Sequence, residues 1–459
     1  MPPLLFPLLV ILFLTLVFLL LTKHRKNNEP FHPPPGPKGI PLIGNLHQFN
    51  ALKPHVYLAE LAKTYGSILS LRFGRIPVVV VQSAKLAKEV LQTQDLNFSN
   101  RPQFVGSQKL SYNGLDIAFS QYNEYFREVK KISVVHLLNS KRVESFAPIG
   151  QEEVLRMIKT ISSLSSASKI VDLSELLTAY SSSNICRIAF GKRLNGNLSR
   201  LEKTFKDLDA FYEEIISDHL DPNRTKSEQE DIIDVLLNLR KERSFELTLD
   251  HIKALLMNIF IGGTDTSSVM VVWAMTELVK NPHAMKKVQE EIRNGIQNKD
   301  FVEKHDLSKF KYFKAVVKET FRLHPAAPLL VSHEAVKRTT IDGYDILPKT
   351  LVYINVWAIG RDPKLWKDPE KFMPERFFET LIDFKGNDFE LLPFGAGRRM
   401  CPGLNLGIVN MELALANLLY SFDWEIPDNG LTKEDIDTDV LPGIVMHKKN
   451  PLCLLAKEI

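Results

Sequence analysis

Apolar positions along the chain are arranged in three ways, and each predicts a different kind of element. Residues 3–21 are uncharged and almost wholly apolar; as a helix they would extend roughly 28 Å, close to the thickness of a bilayer core. Lys23, Arg25 and Lys26 follow this run, no basic segment precedes it, and no small-residue cleavage site ends it. That order predicts an uncleaved transmembrane signal-anchor at 1–22 rather than a removed signal peptide. The charge bias places everything after Thr22 in the cytosol, so the sequons at Asn97, Asn197 and Asn223 are expected to stay unmodified.

The second arrangement is alternating and β-branched. Two such runs within 67–81 flank Gly74-Arg75, which predicts a hairpin, and Pro77 near the start of the second run favours an edge position. The third is helical, with apolar residues recurring at turn spacing over 122–130, 152–163, 254–280, 284–297, 313–323 and 404–419. Between the first run and the rest, Pro33-Pro34-Pro35-Gly36-Pro37 with Gly39, Pro41 and Gly44 predicts a stiff basic and proline-rich tether over 23–45. The expected fold class is mainly α with small β-sheets (α+β), with one body over 46–459.

Composition narrows this picture. A chain of 459 residues with 44% hydrophobic content can bury a large core, which excludes a disordered or fibrous protein. Lys and Arg total 58 against 54 Asp and Glu, and part of the small excess sits beside the anchor, so nothing argues for nucleic acid. Cys186, Cys401 and Cys453 are too few and scattered for a disulfide framework or a cysteine-rich zinc site. One of them can still be a ligand.

Candidate chemistry gathers in three segments. In Phe394-Gly395-Ala396-Gly397-Arg398-Arg399-Met400-Cys401-Pro402-Gly403, two glycines and a proline crowd one cysteine. Glycines permit close approach to a flat cofactor, and backbone N–H groups with a following helix favour a thiolate. Taken alone, the cysteine is more simply a small buried hydrophobe. The long apolar helix expected to cross the core has a polar centre, Gly262-Gly263-Thr264-Asp265-Thr266, where the glycines are expected to weaken the helix beside a groove. A threonine bonding back to its own helix is the plainer alternative. Glu319 and Arg322 share a helical face, which by itself implies only an ion pair of a few tenths of a kcal/mol.

The pattern Phe-x-x-Gly-x-Arg-x-Cys-x-Gly, met by Phe394, Gly397, Arg399, Cys401 and Gly403, resembles the haem-ligand signature of the cytochrome P-450 family. Glu319-Thr-Phe-Arg322, Pro374-Glu-Arg-Phe377 and Gly262-Gly-Thr-Asp-Thr266 resemble three further motifs of that family, in its order. With the anchor and tether, the resemblance covers essentially the whole chain, in plant microsomal style. It implies a haem-thiolate monooxygenase fold that holds haem b through Cys401 as iron ligand, with Arg399 on a propionate and Phe394 packed beside the thiolate. It also implies a buried triad of Glu319, Arg322 and Arg376 that locks the cysteine loop. Thr266 would contact dioxygen and Asp265 would relay protons. Electrons would come from NADPH through a flavoprotein reductase at the endoplasmic reticulum membrane, and the substrate would be a small apolar molecule of plant specialised metabolism. Residues 103–117, those before Gly262, and 326–330 are the expected substrate contacts, and Lys130, Lys131 and Arg398 are candidates for reductase docking.

Three departures qualify the resemblance. Phe126 and Lys130 stand where Trp and a stronger propionate contact are common, so Phe126 keeps packing without a hydrogen bond while Lys130 keeps charge. His333-Glu334 stands where Arg-Glu is frequent, and a neutral His is a weaker partner. Only residues 194–200 separate Phe190-Gly-Lys-Arg193 from Leu201, which implies a shortened roof over the substrate cavity. Two other functions follow from these departures: a catalytically impaired member acting as a membrane interaction partner, or a haem-thiolate dehydratase or isomerase, the latter disfavoured by Asp265 and Thr266.

Overall fold

The structure, a computed structural model, describes residues 31–193, 205–224, 229–242, 246–296, 299–427 and 432–459, together with Leu12 and Thr15. The rest of the expected anchor, residues 23–30 of the tether and the expected shortening at 194–200 with Asn197 lie outside the described residues.

The longer helices are α1 (Pro54–Tyr65), α2 (Glu124–Lys131), α3 (Ala147–Ser166), α4 (Leu173–Phe190), α5 (Phe205–Leu220), α6 (Ile232–Lys241), α7 (Leu249–Lys280), α8 (Pro282–Gly295), α9 (Lys311–Leu323) and α10 (Leu404–Ser421). Their starts are chemical rather than hydrophobic. Asn123, Asp172 and Asp231 accept the backbone N–H groups of Phe126, Glu175 and Asp234, and Thr248 forms a reciprocal capping box with His251. Prolines open α1, α3 and α8. This is why α3 and α7 begin five residues before the apolar periodicity that signals them: the first turn of each is set by caps and prolines, which carry no apolar period.

Nine strands form three small sheets: β1 (Ile68–Phe73), β2 (Ile76–Val81), β3 (Val171–Asp172), β4 (His333–Glu334), β5 (Thr339–Ile341), β6 (Tyr344–Ile346), β7 (Leu351–Ile354), β8 (Phe422–Glu425) and β9 (Cys453–Glu458) are those among the described residues. The expected hairpin is β1–β2, paired from Ile68 with Val81 to Phe73 with Ile76. Of these two strands only β1 is at an edge of the four-stranded sheet, whose order is β1-β2-β7-β4. β2 also runs parallel to β7 over Val78–Val81, and Pro77 stands one residue before that ladder, so its missing N–H removes nothing from it. From Pro34 the proline-rich segment is fastened to β1: the Pro34 carbonyl accepts from Ser70 Oγ and the Pro35 carbonyl from Ser70 N–H, both at 2.7 Å. Residues 34–45 thus lie against the body.

The core is organised on α7, with α4, α8, α9 and α10 around it and Trp273 fully buried. α7 is long and apolar enough to span a bilayer, but 61% of its apolar window is buried inside the fold, which makes it a core helix. It runs unbroken through Gly262-Gly263, contrary to the expected weakening. Gly263 serves packing: a Cβ there would stand 2.6 Å from Ile185 Cδ1 of α4. Gly262, by contrast, has nothing within 4 Å of its Cβ position and faces open space.

Candidate functional site

The cysteine loop is shaped by one obligatory glycine and two backbone bonds. Gly397 has φ +66°, and a Cβ there would lie 2.0 Å from the Leu91 carbonyl oxygen. Strain at such a φ alone is about 1–3 kcal/mol for other residues, before the clash. Gly397→Ala is therefore expected to leave helix content intact by circular dichroism while haem absorbance per protein collapses; wild-type haem content would show that the loop tolerates the side chain. Met400 N–H donates to Gly397 O at 3.2 Å and Cys401 N–H to Phe394 O at 3.0 Å, and the sulfur lies beside Gly403, the residue before α10, where a Cβ would stand 3.8 Å from Sγ.

Cys401 has an open surface although protein atoms are dense around it. Burial pushes its thiol above the ordinary range, against the opposing pull of the Gly403 N–H and the Lys130 ammonium. A cation bound at this sulfur would favour its thiolate form. The Phe394 ring sits in an aromatic cluster. It packs edge-on against Phe321 of α9 at 5.5 Å and beside Phe384 at 6.0 Å, while its carbonyl holds the cysteine.

Beside this loop lies a group of cations without acid partners. Arg399 donates to the carbonyls of Ser99 at 2.8 Å, Ile117 at 3.2 Å and Ser120 at 2.6 Å, and its guanidinium lies 3.8 Å from the Phe126 ring centroid. Phe126 thus supplies a stacking platform. Lys130 donates to the Met400 carbonyl, so it sits on the cysteine loop itself and nearer the sulfur than a propionate role alone implies. Arg101, buried, donates to Ala118 O at 3.0 Å, Val331 O at 2.6 Å and Ser332 O at 2.8 Å. His333 places Nδ1 2.8 Å from Phe98 O; burial and the Arg101 charge hold its pKa far below the usual imidazole range, so it is neutral.

Among the described residues no carboxylate forms an ion pair with Arg101, Lys130 or Arg399. The acid that acts on both guanidiniums is Asp116, and its oxygens are taken by Asn258 Nδ2 at 2.9 Å and Phe119 N–H at 2.8 Å. Burial accordingly pulls Lys130 to about 8 and Arg399 to about 10, helped at Lys130 by its two arginine neighbours and resisted by Cys401. Buried cations held by neutral carbonyls await an anion. A cofactor with two carboxylates and a metal that takes a thiolate fits this donor set, as haem does. Arg101 was missed by sequence reasoning because an isolated arginine before a proline has no period or spacing to distinguish it.

The polar centre of α7 is open where its flanks are closed. Ile261 is 40% exposed and Asp265 and Thr266 are half-buried, while residues on both sides are core. Thr266 Oγ1 donates to Gly262 O at 2.6 Å, the bond back to its own helix. Asp265 turns elsewhere, with Oδ2 3.7 Å from His447 Nε2. α7 and α10 are neighbours, since a Cβ on Gly407 of α10 would lie 4.0 Å from Ser267 Oγ, and the Phe394 ring of the cysteine loop stands at the same distance from that Cβ.

The structure brings Glu319, Arg322 and Arg376 together. Arg322 makes a two-pronged pair with Glu319 at 2.7 and 2.8 Å, and Arg376 Nε reaches Glu319 Oε1 at 3.0 Å. Their other bonds fall on residues 360–373: Arg322 on the carbonyls of Gly360, Pro369 and Lys371, and Arg376 on those of Lys367, Asp368 and Lys371. The triad thus fixes the segment before the cysteine loop, and α9 reaches the loop itself through Phe321 on Phe394. At Asn97 the side-chain amide is engaged by Gln94 and Thr339.

The family model described as cytochrome P450 matches residues 34–202 and 194–455. The chain is 46% identical to a 6,7,8-trihydroxycoumarin synthase of Pastinaca sativa, with 98% of this chain and 99% of that protein aligned. It is 42% identical to cytochrome P450 71B34 of Arabidopsis thaliana, over 98% of each chain. The first of these alignments runs over 501 positions, more than the 459 residues here, so some positions of the relative have no counterpart. Among solved structures, a zebra fish cytochrome P450 with abiraterone superposes with a TM-score of 0.78 at 25% identity, covering 89% of this chain and 99% of that one. Matched along nearly its whole length in sequence and in fold, the chain belongs to the cytochrome P450 family of haem-binding monooxygenases.

Proposed function

We propose that this monooxygenase hydroxylates a small, largely apolar plant specialised metabolite, using NADPH-derived electrons delivered by a flavoprotein reductase. The observation that carries the reading is the trio of cations beside the Cys401 loop, Arg101 buried and Lys130 and Arg399 half-buried, none of which forms an ion pair with a carboxylate among the described residues. Cys401 is the metal ligand, with Gly403 N–H and Lys130 moderating the charge on its sulfur. Arg399, Arg101 and Lys130 take the cofactor carboxylates, with neutral His333 as a minor partner. Gly397 and Phe394 hold the loop in shape, and Glu319, Arg322 and Arg376 hold the segment before it. The chemistry that haem supplies when bound is activation of dioxygen for transfer of one oxygen atom. Thr266 keeps its hydroxyl proton on Gly262 O, leaving its lone pairs free to accept from a proton donor in the cleft, and Asp265 passes protons inward.

The segment assignment follows the same reading: an anchor at 1–22 in the endoplasmic reticulum membrane, a tether at 23–45 and a cytosolic catalytic domain at 46–459. Two relatives are named for hydroxylated coumarin-type products, 6,7,8-trihydroxycoumarin and 5-OH-xanthotoxin, which makes planar oxygen heterocycles the first substrates to try. The test is reconstitution with a plant reductase, NADPH and simple coumarins, with mass spectrometry for a gain of one oxygen atom. Folded protein that forms no thiolate-type band with carbon monoxide after reduction would favour an impaired member acting as an interaction partner, the reading suggested by the break in the family match at 194–202. In the active protein, Thr266→Ala is expected to lower product formed per NADPH roughly tenfold while NADPH use continues. Unchanged coupling would remove Thr266 from the proton path.

A further inference from the structure

We propose that His447 is the group through which Asp265 exchanges protons with solvent, a positioning and relay residue contributed by the carboxyl-terminal loop. The proposal rests on the assignment of Asp265 as a proton relay. Its observation is the approach of His447 Nε2 to Asp265 Oδ2 at 3.7 Å, with both side chains about 40% exposed. Among the described residues, Asp265 is the one carboxylate within ion-pair distance of this imidazole. The distance is a little long for a direct hydrogen bond and suits an ion pair, or a hydrogen bond formed after a small rotation of either side chain.

The contact is not an accident of two mobile side chains, because the backbone on both sides is fastened. Asp265 belongs to the unbroken core helix α7. The residue before His447 is clamped twice: Trp273 Nε1 of α7 donates to Met446 O at 2.7 Å, and Met446 N–H donates to Ala326 O at 2.8 Å. His447 O in turn accepts from Leu441 N–H at 2.9 Å, closing the loop on itself. The neighbouring cation that could compete, Lys448, is committed to Asp437 at 3.1 Å. A buried indole two turns along the same helix therefore sets the height of His447 against Asp265.

The step balances simply. Imidazolium Nε2–H gives its proton to Asp265 Oδ2, the ring is left neutral, and hydronium in solvent returns a proton to the imidazole and leaves as water; no electrons move. The same loop carries Gly443 and Ile444, which line a cavity of about 240 Å³ with Leu329 and Leu330. An occupant of that cavity would press on the loop that aims His447.

Four proteins test this: wild type, Asp265→Asn, His447→Gln and the double variant. Two readouts come before turnover. In the haem-free chain labelled on histidine, the ring resonance lost in His447→Gln is expected to move when Asp265 becomes Asn, and an unmoved resonance would overturn the contact. In the haem-loaded chain, the carbon monoxide band and substrate KM of His447→Gln are expected to match wild type, while product per NADPH and kcat fall by roughly three- to tenfold. The double variant is expected to be no worse than Asp265→Asn, and multiplicative losses would overturn a shared path. If Asp265→Asn itself leaves coupling unchanged, the relay reading fails; if Asp265→Asn is impaired and His447→Gln is not, only the role of His447 fails.

Discussion

Cys401→Ala is expected to abolish the thiolate-type carbon monoxide band and all oxygen insertion, while the protein keeps its helix content. The loss is complete rather than graded because no other sulfur can substitute. Cys186 is buried in α4, where burial pushes its thiol up to about 12, and Cys453 lies on β9, where burial and Asp172 raise its pKa. The fold should survive because the change removes one small group with an open surface, a site where truncation leaves no sealed cavity. Cys401→Ser separates sulfur from shape: it keeps the volume and the backbone bond to Phe394 O, and it is also expected to show no thiolate band. A normal band in either variant would remove Cys401 as the ligand.

Glu319→Ala is expected to cost about 3–5 kcal/mol of stability, the range for breaking a buried ion pair from one side. Glu319 and Arg322 are both fully buried, and Glu319 accepts from two guanidiniums and from Met373 N–H. Its removal leaves two buried cations with carbonyls alone, and the ends of the 360–373 segment lose the group that organises them. The measurement is the urea midpoint of the purified chain together with haem retained through gel filtration. A midpoint within the error of wild type would show that the triad contributes nothing net. Arg376→Lys is the milder comparison: it keeps one charge near Glu319 but loses the fork that spans Lys367, Asp368 and Lys371.

How far the chain discloses itself depends on the range of the interactions involved. The hairpin at 67–81 and the helices carrying Thr266, Arg322 and the residues after Cys401 are legible because their signals are local: β-branched runs around Gly74-Arg75, and apolar residues at turn spacing. Helix starts are less legible, because caps such as Thr248 with His251 are polar and interrupt the period that would announce them. The glycine pair in α7 shows the limit well. Propensity alone says that Gly262-Gly263 weakens a helix, yet the helix continues, because Gly263 lets α4 close against it and the packing gained outweighs about 1 kcal/mol of propensity per glycine.

By itself the sequence determined the family and pointed to the cysteine of its signature and to the members of the ion triad, since each is carried by fixed residue types within a short motif. What only the tertiary structure decided is which distant side chains those residues meet. Arg101 joins Arg399 and Lys130 from 298 and 29 positions away, the triad fastens 360–373 instead of the cysteine loop, and Asp265 faces His447 across 182 residues. Such pairings have no period and no local propensity. They exist because a close-packed core leaves each buried charge a single set of neighbours, and that set is fixed by how the helices cross rather than by the order of residues along any one of them.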